Sequence, residues 1–137
     1  MATFNKVNTF TKNMADGVHN LSSDTLKGLF TNAAPVATNT VVANLTDIAA
    51  GNGYLAGGVT IDISSSAQVA GVYSLVATDE ALTASGGSIG PFRYVAIYNS
   101  SAASSELIGW YDYGSSITLN NTETFSIDFG ANLLSVS

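Results

Sequence analysis

Between Ser88 and Phe129 the chain alternates residue by residue, and this constrains its fold more than any other feature. The runs are SIGPFRYVAIYN, ELIGWYDYGSSITL and TFSIDF, separated by SSAASS and NNTE. In the first, Phe92, Tyr94, Ala96 and Tyr98 fall on one side and Arg93, Val95 and Ile97 on the other. In the second, Leu107, Gly109, Tyr111 and Tyr113 alternate with Ile108, Trp110 and Asp112; in the third, Phe125, Ile127 and Phe129 alternate with Ser126 and Asp128. An extended strand changes face at every residue, so this pattern marks strands with a buried side. The Ser- and Asn-rich breaks are turn material, and residues 88–129 are expected to form a central antiparallel β-meander. The first strand is apolar on both sides, which places it inside the sheet and covered on both faces.

Upstream, Phe4, Val7, Phe10, Met14 and Val18 recur at spacings of three and four, which predicts a helix over residues 3–18, with Gly17 and Asn20 placed to close it. Asn and Thr make it weak by propensity, so it needs a surface to pack on. Residues 1–20 therefore read either as a helix capping their own sheet or as an arm docking on a neighbouring subunit. In the second case Phe4, Val7, Phe10 and Met14 are the candidate subunit interface. Strands are expected at 25–31, 59–63, 72–77, 81–84 and 133–136, and a helical turn or two within 40–50. Residues 64–71 and 99–105 are of low enough complexity to be mobile. The expected architecture is a single mainly β domain over 1–137: an antiparallel β-sandwich or compact barrel-like domain with a short N-terminal helix.

Composition removes whole classes of function. A chain of 137 residues is long enough to bury a real core. It has no cysteine, so disulfides and thiolate chemistry are excluded. Only 10% of its residues are charged, with a net charge of −6 and Lys6, Lys12, Lys27 and Arg93 as the only cations. Nucleic-acid grooves and anionic membrane surfaces need clustered Lys and Arg, so neither is an expected partner. No run has the length of an apolar membrane span, and the N-terminal apolar residues are interrupted by Asn and Thr. Synthesis in a cytoplasm without a secretion signal is the expectation.

The residues that carry chemistry are few. His19 stands near Asp16, Ser22, Ser23 and Asp24, but nothing sets a serine on an elbow beside it, and a lone loop histidine reads as a local hydrogen-bonding residue. Asp112 and Asp128 are the one carboxylate pair that strand geometry brings to mind for a sugar cleft. Their plainer role is to partner Arg93, with Asp112 favoured because the next strand is the expected neighbour, its Ile108/Trp110/Asp112 face opposing Arg93/Val95/Ile97. The runs Gly51-Asn52-Gly53 and Gly86-Gly87 lack the lysine and the strand-to-helix setting of a phosphate loop and read as turns. Phe92, Tyr94, Tyr98, Trp110, Tyr111 and Tyr113 read as core and rim aromatics; a sugar-stacking platform is the sharper alternative. No catalytic residue, cofactor or metal ligand is expected.

The motifs SSDTLK near position 25, DIAAGNGY at 47–54, ASGGSIGPFRYVAIYN at 84–99 and LIGWYDYGSSITLNNTETFSIDF at 107–129 resemble, in order and across nearly the whole chain, small structural proteins encoded in tailed-bacteriophage virion-gene clusters. The resemblance implies a noncatalytic virion component, and the first expectation is a capsid decoration (cement) protein bound to the major capsid protein. A neck, tail or fibre component is the nearest alternative; a carbohydrate-binding module or adhesin is the alternative of another class. The low charge and the Ser/Thr/Asn surface suit a passive assembly subunit, a homo-oligomer for which a shell favours three-fold contacts.

Overall fold

The computed structural model describes residues 2–136. In chain order the elements are β1 (Thr3–Lys6), α1 (Thr9–Ala15), β2 (Leu26–Thr31), a 3-10 turn (Val42–Asn44), β3 (Val59–Ile61), β4 (Ile63–Val69), β5 (Val72–Ala77), β6 (Glu80–Thr83), β7 (Ile89–Asn99), β8 (Leu107–Leu119), β9 (Thr124–Ile127) and β10 (Leu134–Val136). The protein is mainly β, its strands pair antiparallel throughout, and α1 is the one α-helix among the described residues. That helix is neither long nor apolar enough to cross a membrane.

A five-stranded sheet in the order β1-β8-β7-β2-β3 forms the first layer. Its middle strand β7 is buried without a break from Tyr94 to Asn99, so both faces are covered, as the double apolar pattern requires. On one side β2 pairs Phe30 with Val95 and Gly28 with Ile97; on the other, β8 pairs Tyr111 with Val95 and Gly109 with Ile97. Gly28 is small for a reason: a Cβ there would stand 3.1 Å from Val95 Cγ1. A three-stranded sheet, β10-β5-β4, and a two-stranded one, β6-β9, complete the body. Leu75, Leu82, Ile127 and Leu134 from these strands join the core of the large sheet. Three phenylalanines tie the layers edge to face: Phe30 and Phe92 of the large sheet at 4.8 Å, with Phe125 of β9 at 5.9 and 5.0 Å from them. Each such pair adds about 0.5–1.5 kcal/mol to the burial of the rings themselves.

Four expectations are corrected. Residues 3–18 are not one helix: Phe4 lies on β1 opposite Tyr111, the chain turns at Val7 and Asn8, and only Thr9–Ala15 are helical. Asn and Thr do not sustain a longer helix, and the end is fixed where Gly17, at φ +76, lets its own N–H and that of Val18 close back on Met14 and Asn13. The meander is broken as well: β9 pairs with β6, not with β8, whose free edge is taken by β1. Phe125 thereby packs onto the sheet instead of extending it. Residues 64–69 are strand, not a mobile segment, and pair with β5 through the turn Ala70-Gly71. The helical turns expected within 40–50 reduce to Val42–Asn44, which Asn44 holds by accepting N–H bonds from Thr40 and Val41.

Val7 and Phe10 are 1% and 4% exposed within this chain alone. Their burial contributes about 3–6 kcal/mol together, a large part of the 5–15 kcal/mol that holds a typical domain folded. Deleting residues 1–18, which also removes β1 from the edge of β8, is therefore expected to abolish the cooperative thermal melt followed by circular dichroism. A truncated protein that melts near the full-length temperature would contradict this account.

Candidate functional site

The four residues expected at a subunit interface have separate places. Val7 is inside the chain's own core, and its N–H donates to Ile108 O at 3.1 Å. Phe10 is buried and floors a groove of about 350 Å³ between β1 and β10, where Phe4, Tyr111, Phe129 and Leu133 also meet. The groove continues past α1, along Met14 and Val136, into a second hollow of about 570 Å³. Phe4 and Met14 are half-buried at its sides. Lys6 brings the cation of this groove, its Nζ donating to Thr11 Oγ1 at 2.8 Å. So Val7 and Phe10 serve the chain itself, while Phe4 and Met14 border an open apolar channel.

Arg93 and Asp112 are brought together, by a route other than the one expected from alternation. Asp112 stands opposite Tyr94 and Trp110 opposite Ala96, so the Trp110/Asp112 face meets Tyr94/Ala96 and not Arg93/Val95. The next paired position is Phe92 with Ile117, which leaves Arg93 alone facing Tyr113–Ser116. This bulge, turned at Gly114 with φ +86, bends β8 and lets Asp112 reach back. Arg93 Nε donates to Oδ1 at 2.8 Å and Nη2 to Oδ2 at 3.2 Å; Oδ1 also accepts the Gly114 N–H at 2.8 Å. The guanidinium lies 5.3 Å from the centre of the Tyr94 ring. Arg93, and then the Gly114 N–H, hold the Asp112 carboxyl below its ordinary range. With side chains 38% and 34% exposed the pair is well screened by water.

Asp128 does border the same shallow cleft as Asp112, with Tyr113, Phe125 and Thr3. Its Oδ1 accepts the Gly130 N–H at 2.8 Å. The aromatics are packed against one another: Phe92 is buried, Tyr113 meets Phe125 edge-on at 4.9 Å, and Tyr111 lies 5.2 Å from Phe4. Burial, then Asp128 and Asp79, pushes the Tyr111 hydroxyl up to about 12; burial raises Tyr113 as well. Tyr94 and Tyr98 are buried and Trp110 half-buried.

Two polar clusters escape sequence reasoning because each is completed by a residue far away in the chain, Asn99 in one and Phe30 and Tyr98 in the other. Asn99, wholly buried, donates from Nδ2 to His19 Nδ1 at 2.9 Å and to Asp24 Oδ2 at 2.6 Å. Its Oδ1 accepts the Ser101 N–H at 3.0 Å. An amide nitrogen only donates, so His19 Nδ1 accepts and the ring proton sits on Nε2. That atom is buried without a partner among the described residues, and the ring stacks on Phe10 at 5.7 Å. Ser22 instead donates to Asn20 Oδ1 at 2.7 Å, and Asp16 is bound to Lys12, so the cluster lacks the nucleophile–base–carboxylate order of a triad. In the second cluster Tyr54 donates to Asp47 Oδ1 at 2.5 Å and accepts the Phe30 N–H at 3.1 Å. Asp47 Oδ2 accepts the Gly57 N–H at 2.8 Å, and the Tyr98 hydroxyl donates to Gly57 O at 2.5 Å. These bonds, with Ile48 N–H on Phe30 O, seal the part of β2 that β3 leaves unpaired. The one sequence signal was Asp47 and Tyr54 flanking a Gly-rich turn.

Among the described residues no group of three or more His, Asp or Glu side chains gathers to hold a metal ion. Comparison with protein-family models, curated proteins and solved structures finds no match.

Burial lowers the His19 pKa, against opposing pulls from Glu106 and Asp24. A histidine that titrates lower when folded than its unfolded value of about 6.5 makes the unfolded chain bind the proton more readily. Its neutral form thus contributes stability in full above about pH 6.5, which is lost as the pH falls towards the folded pKa. Thermal melts across pH 5–8 should show this loss, and His19→Gln should flatten it; an unchanged slope in the variant would contradict the assignment. Arg93→Ala should move the melt at neutral pH only slightly. The contribution of Asp112, present above the ordinary carboxylate range, is lost as the pH falls through its depressed value, and that part of the acid limb should vanish in the variant.

Proposed function

We propose that the protein is a non-enzymatic structural subunit of a bacteriophage virion, made in the host cytoplasm and carried on the particle. Within that class the preferred role is a capsid decoration, or cement, protein that binds the major capsid protein and reinforces the head, working as a homo-oligomer. The observation that carries this reading is the resemblance of the motifs at 47–54, 84–99 and 107–129 to small phage structural proteins. The physical character of the molecule supports it. The polar side chains that drew attention as catalysts, His19, Asp112 and Asp128, each hold a turn, a strand or a loop. What remains open is an apolar channel floored by Phe10 and bordered by Phe4 and Met14, a surface suited to another protein.

The measurement that tests the reading is copy number. In virions carrying this chain, quantitative gels should show it close to the abundance of the major capsid protein, and heads stripped of it should lose resistance to heat. Scarcity, at a few copies per particle, would move it to the neck or tail. Absence from the particle would overturn the virion reading.

The cleft of Tyr113, Phe125, Asp112 and Asp128 favours a second reading, a carbohydrate-binding module or adhesin. A glycan array answers this one: binding that is lost in Tyr113→Ala would support it, and a blank array would remove it.

A further inference from the structure

The sheets end in edges of unequal character. β1 carries Lys6, while β3 and β10 are three residues each. β4 is different: it is the outer strand of its sheet, seven residues long, and reads ISSSAQV. Edge strands are ordinarily kept from pairing with other chains by a lysine, an inward charge, a proline, or a cover of helix or loop. β4 has no charge and no proline, and its one irregularity lies at its start, between Ile63 and Ser65. The uncharged stretch runs on through the hairpin to Thr78, bounded by Asp62 and Asp79, in a chain with 14 charged residues.

The hairpin also stands clear of the body. Ala67 to Val72 are all exposed, on both faces of the ribbon, and Val69 and Val72 are 77% and 41% exposed. Val136 of β10, paired with Tyr73, lies on the same sheet and is 39% exposed. Ala70 and Gly71, at φ +52 and +82, make a two-residue turn between Val69 and Val72. In such a hairpin Val69 directs its backbone groups to β5, so those of Gln68 point outward.

We propose that β4 pairs with β4 of a second copy, antiparallel across a two-fold axis, joining two three-stranded sheets into one of six. Charge selects the occupant. Two chains of net charge −6 repel unless they meet where neither presents a charge, and the Ser64–Val69 edge is such a place. A two-fold near Ser66 sets Ser, Ala and Gln against one another and leaves Asp62 beyond the strand, beside the partner's uncharged tip. The contact is isologous, so it closes at two copies and uses up both β4 edges, leaving only the three-residue β10 strands at the ends of the joined sheet. It deepens the assembly reading by naming where copies meet, and depends on that reading only for its purpose; three-fold order on a shell comes from other faces.

Sedimentation equilibrium of the purified full chain tests the pairing. The wild type should be a dimer. Gln68→Pro removes an outward N–H without touching the ladder to β5, and Ala67→Lys restores a charge to the edge. Each should weaken dimerisation at least tenfold while keeping a cooperative melt, and Thr60→Lys on β3 should leave the dimer unchanged. A monomeric wild type, or variants that dimerise as tightly as it does, would overturn the inference. A monomer whose binding to heads is lost in Gln68→Pro would also overturn it, giving the edge to the shell protein instead. A β4-dependent dimer that never appears on particles would leave the pairing intact and remove the virion reading.

Discussion

From Tyr94 to Asn99 β7 has water on neither face and a strand on each side, and that burial dictates most of the structure. A backbone buried on both faces must find every hydrogen bond in its neighbours, so β2 and β8 have to run alongside it for most of its length. They then need cover of their own. β8 receives β1; β2 receives β3 only up to Gly28, and beyond that Tyr54 and Ile48 supply the donors. The 32–58 loop, anchored through Asp47 and Tyr98, therefore completes a sheet edge. The second layer answers the same demand on the aromatic side, where Phe125 meets Phe30 and Phe92.

Alternation made β7 and β8 legible, since it reports which residues share a face. It does not report which strand lies beside which, so a meander sets β9 next to β8 although its partner is β6. At the N-terminus the three-and-four spacing is real as a burial signal, but it arises from a strand that half-buries Phe4, a turn that buries Val7 and a helix that buries Phe10. Arg93 and Asp112 were legible because cations are so scarce that a strand carboxylate was bound to answer the lone arginine of the central strand. Alternation alone would set the Asp112 face against Arg93, whereas the register sets it against Tyr94 and the bulge at Tyr113–Ser116 makes the contact. His19 and Asn99 lie 80 residues apart. Nothing in a local pattern links them.

A chain with so few charges needs other means of fixing its turns, and asparagine supplies them. Asn39 accepts the Val36 N–H, Asn44 those of Thr40 and Val41, and Asn121 that of Gly86, while Asn52 donates to Ser88 O. Neutral amides do this without titrating and without a field that salt can screen. The few ionic contacts at the surface are correspondingly minor supports.

The pairing of β1 with β8 has a consequence for the order in which the molecule is made. Thr3 is matched to Asp112, so β1 leaves the ribosome well before the strand it pairs with. At roughly 5–20 residues per second that wait is on the order of 5–20 s. Through it Phe4, Val7 and Phe10 have no sheet to rest on. The β4–β5 hairpin, closed by a two-residue turn, forms early because its contacts are local, and the long-range pairing of β1, β2 and β7 follows late. Completion of the sheet thus waits on the synthesis of β8, and the nascent chain carries Phe4, Val7 and Phe10 uncovered until then.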